Sequence, residues 1–425
     1  MRSSAVARSV AAARVQRDSS FTKGKIANGL TVVSQDNNGP VSQLVLAFRA
    51  GSRYQSPEQG GLVHHVRNFV GRDVQSYPGL QLVWSAAASG ASMKAFSTRD
   101  VFGVHLTVPR DKAAYALSIL GHTAAKPAFK PWEMEDVIPT LYADIAHKNP
   151  YSVVFEDIHR AAYRNGALAN SVYATKGQVG SSKSKDLCKF AEKHFVSGNG
   201  VIVGYNVDAA TLKLYADESG AIENGSSVAV KESPYRGGNF RRHANGKDAH
   251  IIIAGQGASS NDVKSLAAQA VLQAVIGKTS PLKFSSLPGT NSLLGKLPSG
   301  TVGSAFQAIH DQSGLVGVYI LTNGSNAESS VKNTVASLRS AKVQDLEAAK
   351  RCAINDILTR SERGSTNALE EAIAALSGGP STAELISAIG KVSTSDVESL
   401  AKKAFSKLSI ASYGNISNVP YVDEL

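Results

Sequence analysis

A repeat spaced 210 residues apart constrains this chain more than any other feature of its sequence. The segment from Asp186, "DLCKFAEKHFVSGNGVIVGYN", aligns without a gap on the one from Asp396, "DVESLAKKAFSKLSIASYGNI". Asp186/Asp396, Ala191/Ala401, Lys193/Lys403, Phe195/Phe405 and Gly204/Gly414 coincide. In each copy an aspartate opens an amphipathic helix, where its charge suits the helix N-terminus, and a β-like segment follows. The same offset sets 26–33 against 236–243, and the helix from Met134 against one near Asp345. Several coincidences at one long offset predict two copies of a whole α/β unit rather than a solenoid.

The chain has 425 residues, a length that suits two domains. Residues 223–236, "ENGSSVAVKESPYR", are polar and carry Gly, Ser and Pro, so they read as the linker between domains over 18–222 and 237–425. Within each copy strands come in pairs before helices. Residues 42–49 read as a strand, and 92–108 as two strands with a tight turn near Arg99–Asp100. Residues 111–122 and 260–277 read as helices, and "AHIIIAG" as a buried strand. The fold class expected is α+β: two duplicated domains, each a mixed β-sheet packed by helices.

Residues 1–17 hold Arg2, Arg8, Arg14 and Arg17 and no acid. An Arg-, Ala- and Ser-rich start without a long apolar run has the composition of a mitochondrial presequence, with cleavage expected near 15–20. The formal charge is +11, of which this segment contributes +4. The remaining cations form no dense cluster with interleaved aromatics, so nucleic acid is not an expected partner. No apolar run reaches the roughly 18–20 residues of a membrane helix. The two cysteines, Cys188 and Cys352, form no CxxC pair, fit a reducing compartment and read as buried small hydrophobes.

The chemistry concentrates in "GLVHHVRNFVG", residues 61–71. Residues 58–70 read as one helix opened by Pro57. Two histidines four apart on a helix share a face and can hold zinc, with an intervening glutamate polarising water. Placed with His64 first, that template puts Arg67 where the glutamate belongs and Asn68 where the second histidine belongs. Arginine stays protonated and cannot act as a base. Asparagine is a poor zinc ligand beside imidazole. Starting from His65 instead places Asn68 and Phe69 at those positions. Adjacent histidines point about 100° apart, so His64 and His65 cannot chelate one ion. Both read as packed or hydrogen-bonded helix residues.

The context "AGSRYQSPEQGGLVHHVRNFVG" resembles the inverted-motif, pitrilysin-type zinc peptidases, in Gly51, Ser52, Arg53, Gly60, Gly61 and His64. "GASMKAFSTRDVFGVHL", "KPAF" and "ALANSVYA" resemble later segments of that family. The resemblance spans the chain after residue 20 and implies a bowl-shaped, duplicated metallopeptidase-like fold. It also implies a distant helix with two glutamates, the second a zinc ligand. Counting back without a gap from "VVFEDIH" puts Glu135 at the first and Tyr142 at the second. His64 and Glu135 are then the retained positions, and Arg67, Asn68 and Tyr142 the replaced ones. Glu135 reads as a solvated helix charge or a partner of Arg67. No catalytic residue, metal or cofactor is expected, haem, quinone and iron–sulfur included.

Some members of this family are inactive subunits of larger assemblies. One kind recognises substrate in the mitochondrial processing peptidase and carries a glycine-rich loop. The comparable region here, 277–303, has scattered glycines with no adjacent pair. Another kind comprises the core subunits of the mitochondrial cytochrome bc1 complex. Residues 157–174 and 311–324 and the short loop resemble one of these. That resemblance implies a structural role on the matrix side of the inner membrane. Its partners would be a sister core subunit, cytochrome b, cytochrome c1 and the Rieske protein, in a complex dimer. The substrate-recognising subunit is the alternative.

Overall fold

The computed structural model describes residues 21–218, 220–278, 292–297 and 300–425. The presequence-like segment 1–17 and most of the 277–303 loop between Gly277 and Ser292 lie outside them.

Two sheets hold the described strands. The first contains β1 (Thr22–Lys25), β2 (Thr31–Gln35), β3 (Val41–Phe48), β4 (Ser92–Ser97), β5 (Phe102–Pro109) and β6 (Gly200–Tyr205), in the order β1-β2-β6-β3-β5-β4. The second contains β7 (Gly238–His243), β8 (Asp248–Gly257), β9 (Val302–Ile309), β10 (Gly314–Asn323) and β11 (Ser409–Gly414), in the order β7-β11-β8-β10-β9. Apart from β1 the two orders are the same. β2 runs parallel to β6 as β7 does to β11, and all other neighbours are antiparallel. The duplication read from the sequence is therefore a duplication of sheet topology.

Thirteen α-helices lie among the described residues: α1 (Leu62–Asn68), α2 (Gly79–Ala88), α3 (Ala113–Ala125), α4 (Met134–Ala146), α5 (Pro150–Tyr163), α6 (Ser184–His194), α7 (Ala209–Glu218), α8 (Val263–Ile276), α9 (Ala327–Arg339), α10 (Leu346–Ser361), α11 (Gly364–Ser377), α12 (Thr382–Gly390) and α13 (Thr394–Ala404). The offset of 210 holds at both ends of α6 and α13. Each aspartate accepts a backbone N–H at its helix entrance: Asp186 from Lys183 at 3.3 Å and Asp396 from Ser393 at 3.1 Å. None of the described helices is long and apolar enough to cross a membrane.

Central strands β3 and β8 are buried on both faces, and their alternation feeds separate cores. Leu44, Leu46 and Phe48 point into one core, with α1 and α3. Val45 and Ala47 face Ala368, Ala372 and Leu376 of α11, a helix from the other half of the chain. In β8, Ile251 and Ile253 meet α8, α9 and α13. Ile252 and Ala254 meet Val154, Ile158 and Ala162 of α5, again from the opposite half. Each half thus lends one helix to the other's sheet. A polar contact reinforces this exchange at the β4–β5 turn. Asp100 accepts from Arg53 at 2.5 Å and from His310 of the second half at 2.6 Å.

Three local readings need correction. Residues 58–70 are not one helix. A 3-10 turn (Pro57–Gln59) precedes α1, because Gly61 takes φ +85° where it abuts Ala174. Val201 of β6 pairs with Thr31, whereas Ala411 of β11 pairs with Phe240. The 26–33 repeat is therefore displaced by one residue from the 236–243 alignment. Cys188 is only half-buried against the first core, and Cys352 is exposed.

Candidate metal centre

Helix α1 buries Leu62, Val63 and Val66 in the first core. That anchoring turns His64, Arg67 and Asn68, at i, i+3 and i+4, toward α4. All three converge on one oxygen there. Asp144 Oδ2 accepts from His64 Nε2 at 3.0 Å, from Asn68 Nδ2 at 3.1 Å, and from the Arg67 guanidinium at shorter range.

The carboxylate opposite the histidine helix is therefore Asp144, two residues beyond the position counted from the sequence. Tyr142 is 46% exposed and points away. Glu135 is exposed at the start of α4, and Arg67 pairs with Asp144 instead of Glu135. Two residues on a helix are about 200° apart, so a register error of two exchanges inside for outside. Asp144 carries a detectable signal: it is an acid on α4 three residues after Leu141 and seven after Val137, in line with the helix's buried stripe.

Hydrogen-bond partners fix both histidine tautomers. His64 Nδ1 accepts from the Ala174 N–H at 3.3 Å, so Nε2 carries the proton given to Asp144. His65 Nδ1 donates to the Gly61 carbonyl at 2.8 Å, and its Nε2 accepts from the Gly180 N–H at 3.1 Å. Burial, with the Arg67 charge adding to it against the pull of Asp144, lowers the His64 pKa to about 4. Burial also lowers that of His65. Both imidazoles are neutral at neutral pH. Burial alone would raise the Asp144 pKa; the bonds from Asn68 and His64 and the charge of Arg67 outweigh it, and the net shift is down.

This arrangement does not fit zinc. His64 presents no bare nitrogen to the cleft, and Asn68 turns its amide nitrogen to Asp144. A guanidinium sits on Asp144, the carboxylate that faces α1. Among the described residues no group of three or more His, Cys, Asp or Glu stands close enough to hold a metal ion. The remaining motif residues are structural: Ser52 Oγ donates to the Asn170 carbonyl at 3.1 Å, and Asn170 Nδ2 returns a bond to the Ser52 carbonyl at 3.2 Å. This reciprocal pair ties the Gly-Ser-Arg turn to the "ALANSVYA" loop.

The model of the insulinase family, peptidase family M16, matches residues 31–176, and that of the M16 inactive domain matches residues 183–351. The chain belongs to the M16 peptidase family. Within it, the chain is similar to the mitochondrial cytochrome b-c1 complex subunit 2 of Homo sapiens, 29% identical over 96% of this chain and 92% of the relative. The subunit 2 of Cryptococcus neoformans is 28% identical over 97% and 95%. The mitochondrial-processing peptidase subunit alpha-2 of Dictyostelium discoideum is 25% identical over 94% and 93%. The M16 α1 helix thus survives here as a shape, with its chemistry replaced.

Proposed function

We propose that this chain is a non-catalytic structural subunit of the mitochondrial cytochrome bc1 complex (ubiquinol–cytochrome c reductase, complex III), the counterpart of its subunit 2, or core protein 2. It sits peripherally on the matrix side of the inner membrane, paired with core protein 1 and capping cytochrome b, cytochrome c1 and the Rieske protein in the complex dimer. It supports electron transfer from ubiquinol to cytochrome c without holding a cofactor or a metal.

One observation carries the non-catalytic part: Arg67 stands where a general base would, and is bound to the carboxylate a metal would need. The assembly part rests on likeness to subunit 2 over nearly the full length of both chains. The processing-peptidase α subunits are also matched, over 94% of this chain and 82–93% of their own length at 23–25% identity, and give the second reading. Blue-native electrophoresis of mitochondria separates the two. Migration with b- and c-type haem supports the structural subunit; migration as a haem-free heterodimer with a peptidase contradicts it.

A further inference from the structure

Two cation–ring clusters follow, one on Tyr173 and one on Phe240 of the second half, and their cations outnumber the carboxylates free to meet them. Arg67 lies 5.3 Å from the centre of the Tyr173 ring, and Lys148 Nζ lies 3.8 Å from it. Arg160 and Arg242 lie 5.6 and 5.7 Å from the centre of the Phe240 ring in the second half. Three carboxylates are nearby, and each is committed elsewhere. Asp144 serves Arg67, His64 and Asn68. Glu156 serves Arg99 and the Val172 N–H, at 2.9 and 3.1 Å. Asp157, itself buried, accepts from Nη2 and Nε of Arg242, at 2.9 and 3.0 Å.

Lys148 and Arg160 are left with ring partners and, among the described residues, no carboxylate. Both are half-buried. Glu156 and Asp157 are four and three residues before Arg160 on α5, the spacing of a helical ion pair, yet both turn to other arginines. Burial brings the Lys148 pKa down to about 8; Glu156 and Asp157 pull it up, and Arg160 and Arg242 press it down. A half-buried ammonium in that position gains from an added anion. The chain has little of its own to supply one: residues 279–291 contain no acid, and residues 1–20 contain one, Asp18.

We propose that Lys148 and Arg160 form an anion subsite that receives carboxylates of an acidic peptide segment from another chain, lying along Tyr173 and Phe240. A site whose residues do not fit a metal then adjoins a receptor for negative charge. This goes beyond the structural reading and is tested separately from it, since it needs only the purified full-length chain.

The test is fluorescence anisotropy with a fluorescein-labelled glutamate-rich peptide, its glutamine counterpart and its lysine counterpart. The acidic peptide binds and weakens as salt is raised; the other two do not bind. Lys148→Gln and Arg160→Gln each weaken it about tenfold, the loss expected for one charge-assisted hydrogen bond, while Lys148→Arg retains binding. Binding near pH 8 takes up protons in the wild type and not in Lys148→Arg. Equal binding of the glutamine peptide overturns the proposal. So does displacement by inorganic phosphate at the concentration at which the peptide itself binds, which reveals a site for small anions only. The peptide comparison on wild-type protein decides the matter even where a variant fails to fold.

Discussion

Restoring the metal centre tests the geometry of the cleft. The double variant Arg67→Glu/Asn68→His puts a base and a second imidazole back on α1. Asp144 is then the third ligand. In a tetrahedral zinc site with bonds of about 2.0–2.1 Å, ligand atoms lie about 3.3 Å apart. His64 Nε2 and Asn68 Nδ2, the latter standing in for a histidine ring nitrogen, lie 3.0 and 3.1 Å from Asp144 Oδ2, so the site needs a few tenths of an ångström of expansion and a shift of the His64 proton from Nε2 to Nδ1, which gives up the 3.3 Å bond from the Ala174 N–H. Arg67 must be removed as well. A guanidinium about 4 Å from a divalent ion costs about 8 kcal/mol at an effective dielectric of about 20. That offsets the whole affinity of a micromolar site, also about 8 kcal/mol. The double variant therefore retains one zinc per chain after dialysis, measured by elemental analysis, whereas wild type and Asn68→His alone retain none. Adding Asp144→Ala removes the metal again. If the double variant binds no zinc until Tyr142→Glu is added, the ligand position is Tyr142 and the reasoning from Asp144 is wrong.

Two further outcomes follow from buried polar groups. Arg99→Met leaves Glu156 charged and largely uncompensated in a pair whose side chains are 3% and 11% exposed. It costs about 3–5 kcal/mol in urea unfolding, and Arg99→Met/Glu156→Leu costs less than the single variant; equal losses would mean that the pair is not coupled. The second outcome concerns pH. His64, His105 and His194 all have pKa values lowered to about 4, chiefly by burial. Between pH 6.5 and 4 the unfolded chain binds more protons than the folded one, so stability present above pH 6.5 is lost as pH falls. Each histidine accounts for about 2 kcal/mol of loss by pH 5. A urea midpoint unchanged from pH 7.5 to 5 would contradict this.

The duplicated unit was legible because helix entrances and strand alternation are local patterns, and Asp186/Asp396 mark the same event in both halves. Replacement of the metal helix was legible for the same reason: His64, Arg67 and Asn68 are set by spacing within one helix. The partner carboxylate was not. It depends on the register of α4 against α1, which a gapless count from a distant segment misplaced by two residues. The broken helix at Gly60–Gly61 was missed because Pro57 is as good a start for a 3-10 turn as for an α-helix. Exchange of α5 and α11 was also hidden. Periodicity tells which face of a helix is apolar but not which sheet covers it. Nothing local to Cys352 set it on the outer side of α10.

A non-catalytic structural subunit of a haem-bearing complex carries its partners' haem through purification. The haem content of the tagged chain purified from mitochondria in mild detergent measures this directly. The expected result is b-type and c-type haem in fixed stoichiometry to the chain, with no zinc bound to it. Elution with a peptidase partner and no haem would contradict it.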